Sequence, residues 1–414
     1  MTNKKSKVSN VPNLRFPGFD GEWEIKKLGE VMDFKITNSF SRENLNYELG
    51  TVKNIHYGDI HTKFKTLFTI KKEIVPFINE EMNLRRISDE NYCREGDIIF
   101  ADASEDLNDV GKSIEIINVN GEKLLSGLHT LLARPKANIF HLGFNGYLFK
   151  SNQVRTQIQK ESQGSKVLSI NVGRISKIDL SFPAVVEQEK ISTLFSLLDK
   201  RIHTQNKIIK QLETLIKGLS EKLFSREIRF QEFNDEWKLQ SLGDIGEVFN
   251  GLSGKTKDNF GTGKPYIQYK QIFDSSKVHI KNCGFVEISE NENQNRVMYG
   301  DVFFTISSET PKEIGMSSVL LEEVGEMYLN SFCFAYRPSS SQVINPLFSS
   351  YLFRSFNFRK EIIKLAQGST RYNMSKGELM KLTIILPSLE EQKDIAQLLF
   401  SIDSKIEVEK TILN

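Results

Sequence analysis

With 414 residues, of which 39% are hydrophobic and 26% charged, the chain is large enough for two or three domains with proper cores. Its net charge is +2, and no segment between the boundaries drawn below carries more than three net charges of either sign, so charge alone does not announce nucleic acid. The three cysteines, Cys93, Cys283 and Cys333, have no paired spacing, which fits a reducing cytosol and excludes a cysteine-ligated zinc site. No run of eighteen apolar residues is present, so a soluble, cytoplasmic protein without membrane contact is expected.

Residues 1–14 are polar and basic, with Lys4, Lys5 and Lys7 and no apolar core, and read as a disordered tail rather than a signal peptide. At Arg15 begins a signature of Phe16, Phe19 and Trp23 with Leu28, Gly29 and Glu30 behind it. It returns at Arg229 as Phe230, Phe233 and Trp237 with Leu242, Gly243 and Asp244, displaced by 214 residues. Three later landmarks recur at a displacement of 204 residues. Gly96-Asp97 before Ile98, Ile99 and Phe100 matches Gly300-Asp301 before Val302, Phe303 and Phe304. Gln163-Gly164-Ser165 matches Gln367-Gly368-Ser369. Pro183 with Glu187, Gln188 and Ile191 matches Pro387 with Glu391, Gln392 and Ile395. The chain is therefore a tandem duplication: a module at 15–183, a helix at 184–226, a module at 227–387 and a helix at 388–414.

The runs after the Gly-Asp turns read as strands, and Leu347 to Leu365 has helical period, so each module is predicted to be of mixed α+β class. Between the landmarks the modules differ. Residues 38–92 and 250–295 share no sustained identity beyond a match of Lys53-Asn54-Ile55 to Lys270-Gln271-Ile272. A repeated framework with different contents suits two different reading surfaces on one scaffold.

The first helix is predicted over residues 185–224. Ile191, Phe195, Leu198, Ile202, Ile209, Leu212, Ile216, Leu219 and Leu223 follow a heptad, which only Gln205 breaks. Some 40 residues make a rod of roughly 60 Å. The second helix continues such a seam through Ile395, Leu399, Ile402, Ile406 and Leu413, with Glu409 where the first has Gln205, and Ser388 to Glu391 reads as a capping box. A seam wants a partner, and the two helices are predicted to pack antiparallel as a coiled-coil spacer. About 27 residues follow Pro387, so the paired bundle is expected to have an unmatched end.

Catalytic chemistry is hard to find. Gly254-Lys255-Thr256 ends like a phosphate-binding loop, but Phe249 stands where its first glycine belongs. Glu391 and Lys393 have a nuclease-like spacing but lie in the first turn of a helix. The six histidines lack metal-ligand spacing, and neither a nucleophile elbow nor an amino-methyltransferase motif is present, so the chain looks non-enzymatic. What remains is loop decoration. Lys255, Lys257, Tyr266, Gln268, Tyr269, Lys270 and Gln271 form a candidate DNA-facing strip, because amides pair with adenine and lysines reach guanine or phosphate; the bland reading is a solvated loop. Lys53, Asn54, His56 and Tyr57 are the matching candidates in the first module. The turns carrying Lys166, and Arg371 with Asn373, read either as DNA contacts or as scaffold.

Four landmarks in the same order twice, covering the whole chain, resemble the specificity subunit of type I restriction-modification enzymes. The resemblance implies two target recognition domains, each reading one half of a split, asymmetric sequence in double-stranded DNA. It implies that the helices space the domains and dock two methyltransferase subunits and two restriction-translocase subunits. S-adenosylmethionine, ATP and Mg would belong to those partners, and this chain would carry no cofactor and no metal. Two heads on one face of DNA would meet the major groove about 34 Å apart. The competing expectation is a structural adaptor whose two heads bind proteins or glycans, which predicts no salt-dependent DNA affinity.

Overall fold

A computed structural model describes residues 11–136 and 138–413. Of the tail expected over 1–14, residues 1–10 lie outside the described residues. Residues 11–14 form no regular element, and Pro12 and Leu14 line an apolar hollow with Trp23, Ile191 and Phe195. The chain divides into two compact units, one ending at Arg201 and one beginning at Ile202.

In the first unit a five-stranded sheet runs in the order Met32–Lys35, Thr130–Pro135, Ile98–Ala101, Ser113–Asn118, Leu67–Thr69, antiparallel except for the last pair. Side chains alternate across a strand, so Ile98 and Phe100 enter one core while Ile99 and Ala101 enter another. Burial on both faces explains why the run after Gly96-Asp97 is continuously apolar. The second unit repeats this with Gly246–Asn250, Cys333–Pro338, Val302–Thr305 and Ser317–Val319, all antiparallel. There Val302 and Phe304 face one core and Phe303 the other.

The dissimilar stretches supply most strands of a second sheet in each unit. It comprises Lys123–Ser126, Val52–Ile55, Phe77–Ile78 and Leu45–Asn46 in the first, and Gly284–Val286, Phe260–Ile267 and Tyr328–Leu329 in the second. The helical stretch from Leu347 to Leu365 is two helices, Pro346–Leu352 and Phe356–Lys364. Ser355 restarts the turn between them by accepting the amide of Phe358.

The Gly-Asp landmark has a long-range cause. Asp97 accepts the amide of Arg94 (2.8 Å) and two guanidinium N–H groups of Arg134 (2.8 and 2.7 Å), so it ties its turn to the neighbouring strand. Asp301 does the same with the amide of Met298 (2.8 Å) and Arg337 (both 2.7 Å). Both aspartates are buried, and burial pushes the Asp301 carboxyl up while Arg337 opposes that shift.

The Glu-Gln landmark fastens each long helix to its unit. Glu187, buried in the first turn of the helix Val185–Ser225, receives Nε and Nη2 of Arg15, each at 2.7 Å. Gln188 accepts the amide of His141 (2.9 Å) and donates to the carbonyls of Ile139 (3.0 Å) and Pro183 (2.8 Å). In the helix Leu389–Leu413, Glu391 holds Arg229 at 2.7 Å twice and Trp237 Nε1 at 3.2 Å. Gln392 accepts the amide of Asn345 and donates to the carbonyls of Val343 and Pro387. The capping-box reading is thus half correct: Ser388 Oγ accepts the Glu391 amide (3.4 Å), but the Glu391 carboxylate points into the unit rather than back to the cap.

The seam residues divide by burial. Ile395, Leu399 and Ile406 are buried and Ile191, Leu212, Leu219 and Ile402 half-buried. Leu198 and Ile202, expected in the seam, are 44% and 48% exposed, as is Phe195 at 44%. Within the second unit, Gln205 Nε2 donates to the Glu409 carbonyl (3.1 Å) and to its carboxylate, while Lys410 pairs with Glu213 (3.1 Å). The two polar breaks in the heptads therefore meet each other.

Because removing one partner strands a buried charge, Arg337→Ala is expected to cost roughly 3–5 kcal/mol. Urea unfolding measures this, and a loss below about 1 kcal/mol would show that Asp301 finds compensation elsewhere.

Candidate nucleic-acid interface

The Gln-Gly-Ser landmark closes a tight turn beside a two-stranded ribbon in each unit. In the second unit Ser307–Ser308 pairs with Tyr372–Asn373, and the amides of Gln367 and Asn373 each donate to the other's carbonyl (2.9 and 2.8 Å). In the first unit Ala103–Ser104 pairs with Leu168–Ser169, and Gln163 and Ser169 exchange the same two bonds at the same distances. Only glycine fits the second position of the turn. Gly164 and Gly368 have φ of +136° and +118°, and an added Cβ would lie 1.9 Å from the Val167 carbonyl oxygen and 2.3 Å from that of Arg371. Pinched at its base, each turn exposes the side chains between: Ser165, Lys166 and Val167 in one unit, Ser369, Thr370 and Arg371 in the other.

A short helix begins next to each ribbon. Tyr57 opens Tyr57–Thr62 after the strand Val52–Ile55, and Tyr269 opens Tyr269–Asp274 after the strand Phe260–Ile267. Tyr269 Oη donates to the Ser307 carbonyl (2.7 Å), anchoring helix to ribbon. Burial raises the Tyr269 phenol, and Arg371 is close enough to oppose the shift. In the first unit His61 Nε2 lies 3.1 Å from the Ala103 carbonyl, and the Tyr57 ring meets His61 and His129 edge-on at 5.9 and 5.3 Å.

These placements re-sort the residues expected to face DNA. Lys166, Lys257, Lys270, Arg371 and Asn373 are exposed, and Tyr57, Gln268 and Tyr269 half-buried. Asn54 is fully buried, accepting from Asn38 Nδ2 (2.7 Å), and Tyr266 is buried in a small core with Val286 and Tyr328. His56 is buried at the helix start, its Nδ1 accepting the Gly58 amide (3.2 Å), and burial, then Arg42, lowers its pKa. Lys53 is paired with Glu122 (2.6 Å), Lys255 with Glu292 and the Glu287 carbonyl (each 2.5 Å), and Gln271 Nε2 donates to the His279 carbonyl (2.9 Å). The strip from Lys255 onward is therefore not one face. Nor do Lys53-Asn54-Ile55 and Lys270-Gln271-Ile272 correspond, the first lying in a strand and the second in a helix.

Sequence reasoning passed over His129 and Phe332, both exposed beside the ribbons. The available signal was their place one residue before two equivalent strands. Among the described residues no group of three His, Cys, Asp or Glu side chains could hold a metal ion, and no helix is long and apolar enough to cross a membrane.

The sequence profile of the type I restriction modification DNA specificity domain matches residues 20–214 and again 234–414. The chain belongs to that family, once in each half. A Methanocaldococcus jannaschii protein provisionally named the type I restriction enzyme MjaX specificity subunit is 24% identical over 98% of this chain and 91% of its own. The type I restriction enzyme MjaVIII specificity subunit of the same organism is 27% identical over 64% of each chain. The solved structure of a type I restriction-modification S subunit from M. genitalium shares the fold, with a TM-score of 0.56 at 14% identity, over 95% of this chain and 92% of that one.

Gly368→Ala is expected to open the turn without unfolding the unit. Hydrogen exchange at the Asn373 amide should rise at least about tenfold while the strand Val302–Thr305 stays protected; unchanged protection at Asn373 would mean that the turn absorbs the methyl group.

Proposed function

We propose that the chain is the DNA sequence-specificity subunit of a type I restriction-modification complex, each unit reading one half of a bipartite, asymmetric target. One observation carries the reading: the two halves that match the family profile build the same frame with the same internal bonds, while the side chains exposed at the two ribbons differ. Phosphate contacts from Lys166, Lys257, Lys270 and Arg371 would position each unit, and neighbouring ribbon side chains would read base edges. Asn373 and the half-buried Tyr57, Gln268 and Tyr269 would line the same rims.

The contact of Gln205 with Glu409, together with the core that Ile216, Leu219 and Leu223 share with Ile395 and Leu399, supports an antiparallel coiled-coil spacer formed by the two long helices. Two equivalent helix starts would offer the same docking surface twice, once for each of two methyltransferase subunits, with two restriction-translocase subunits joining for cleavage. Methyl transfer from S-adenosylmethionine and ATP- and Mg-dependent steps would then occur on those partners. The relatives named as specificity subunits support this division of labour.

Arg371→Ala tests the reading on one residue. In the complex with the methyltransferase subunit, duplex DNA affinity is expected to fall about tenfold and the salt slope by about one. Fluorescence anisotropy across a salt series gives both values. An unchanged affinity and slope would assign the turn to scaffold, whereas a wild-type complex with no salt-dependent DNA binding would favour the protein- or glycan-binding adaptor.

A further inference from the structure

His129 and Phe332 stand at one place in the repeated frame and differ in kind. His129 precedes the strand Thr130–Pro135 and Phe332 the strand Cys333–Pro338. The His129 carbonyl accepts the amide of Asp102 (3.0 Å), and the Phe332 carbonyl accepts that of Ile306 (3.0 Å). The carbonyls of Asp102 and Ile306 accept in turn from Ile170 (2.8 Å) and Met374 (2.9 Å), just beyond the two ribbons. The backbone bonding is the same twice. The side chains are a polar pair, Asp102 with His129, in one unit and an apolar pair, Ile306 with Phe332, in the other. The outer member of each is open to solvent, 51% of the His129 side chain and 60% of Phe332.

His129 is also fixed. It has a φ of 54°, its Nδ1 lies 3.2 Å from Asp102 Oδ1, and the Tyr57 ring meets it edge-on. A non-glycine residue in the left-handed region costs energy and persists where its surroundings hold it.

We infer that His129, set by Asp102, and Phe332, beside Ile306, are base-reading residues of the two heads and make their half-sites differ. This rests on the reading under Proposed function. An ionised Asp102 accepts from Nδ1–H, which leaves Nε2 of the neutral ring as an acceptor. An acceptor in the major groove matches the amino group of adenine or cytosine. Phe332 has no polar atom to offer and suits the thymine methyl group.

The test uses the full chain in complex with its methyltransferase subunit, a random duplex library, and sequencing of the bound fragments. His129→Asn removes the ring but keeps a residue that tolerates left-handed backbone. Preference for adenine or cytosine at one position of one half-site should fall about tenfold, with the other half unchanged. Phe332→Ser should do the same at a thymine position in the other half. Wild-type preferences retained by both variants overturn the inference. So does a fall in melting temperature with loss of all DNA binding, which would make these residues structural. A wild-type complex that selects no split sequence would instead sink the underlying reading.

Discussion

In the first turn of each long helix a carboxylate is buried and held by the Nε and Nη2 groups along one edge of an arginine that lies 172 residues earlier for Glu187 and 162 residues earlier for Glu391. A buried charge without a partner is costly, so neither member of the pair can be lost alone. The pair joins the first segment of each unit to the helix that follows its last. Two terminal strands seal the same junction, Glu24–Lys27 with Asp179–Phe182 and Lys238–Ser241 with Thr383–Leu386. The glutamine next in sequence spends its whole amide on three backbone groups, so the helix direction is set relative to the unit.

Closing each unit in this way frees the rest of it. The five- and four-stranded sheets keep their Asp-Arg ties and their two-sided cores, whereas the second sheets differ in strand number and order. The ribbons belong to the constant frame, but the groups they carry outward do not. A protein that must read two unrelated half-sites needs this separation. Base contacts can change without disturbing the bonds that hold the helices.

Much of the frame was legible because its signals are local. The heptad gave a helix of 185–224, against an observed Val185–Ser225, and the Gly-Asp turns preceded strands. The reasons were not legible, because they lie far away in sequence. Asp301 is there for Arg337, 36 residues on, and Glu391 looked like a cap because its partner Arg229 is remote. At several candidate readers tertiary burial overrides residue type. Asn54 and Tyr266 have suitable chemistry but face inward, and Lys255 is spent on an internal carboxylate. His129 and Phe332 escaped notice because they share no identity; their place before equivalent strands hints that they correspond, and the equivalent backbone bonds establish it.

The most direct measurement is genome-wide adenine methylation in a host without other methyltransferases, comparing cells that express the partner methyltransferase with and without this chain. The account predicts a split motif of two unlike half-sites that appears only when the chain is present. A soluble complex that leaves no new motif would contradict it.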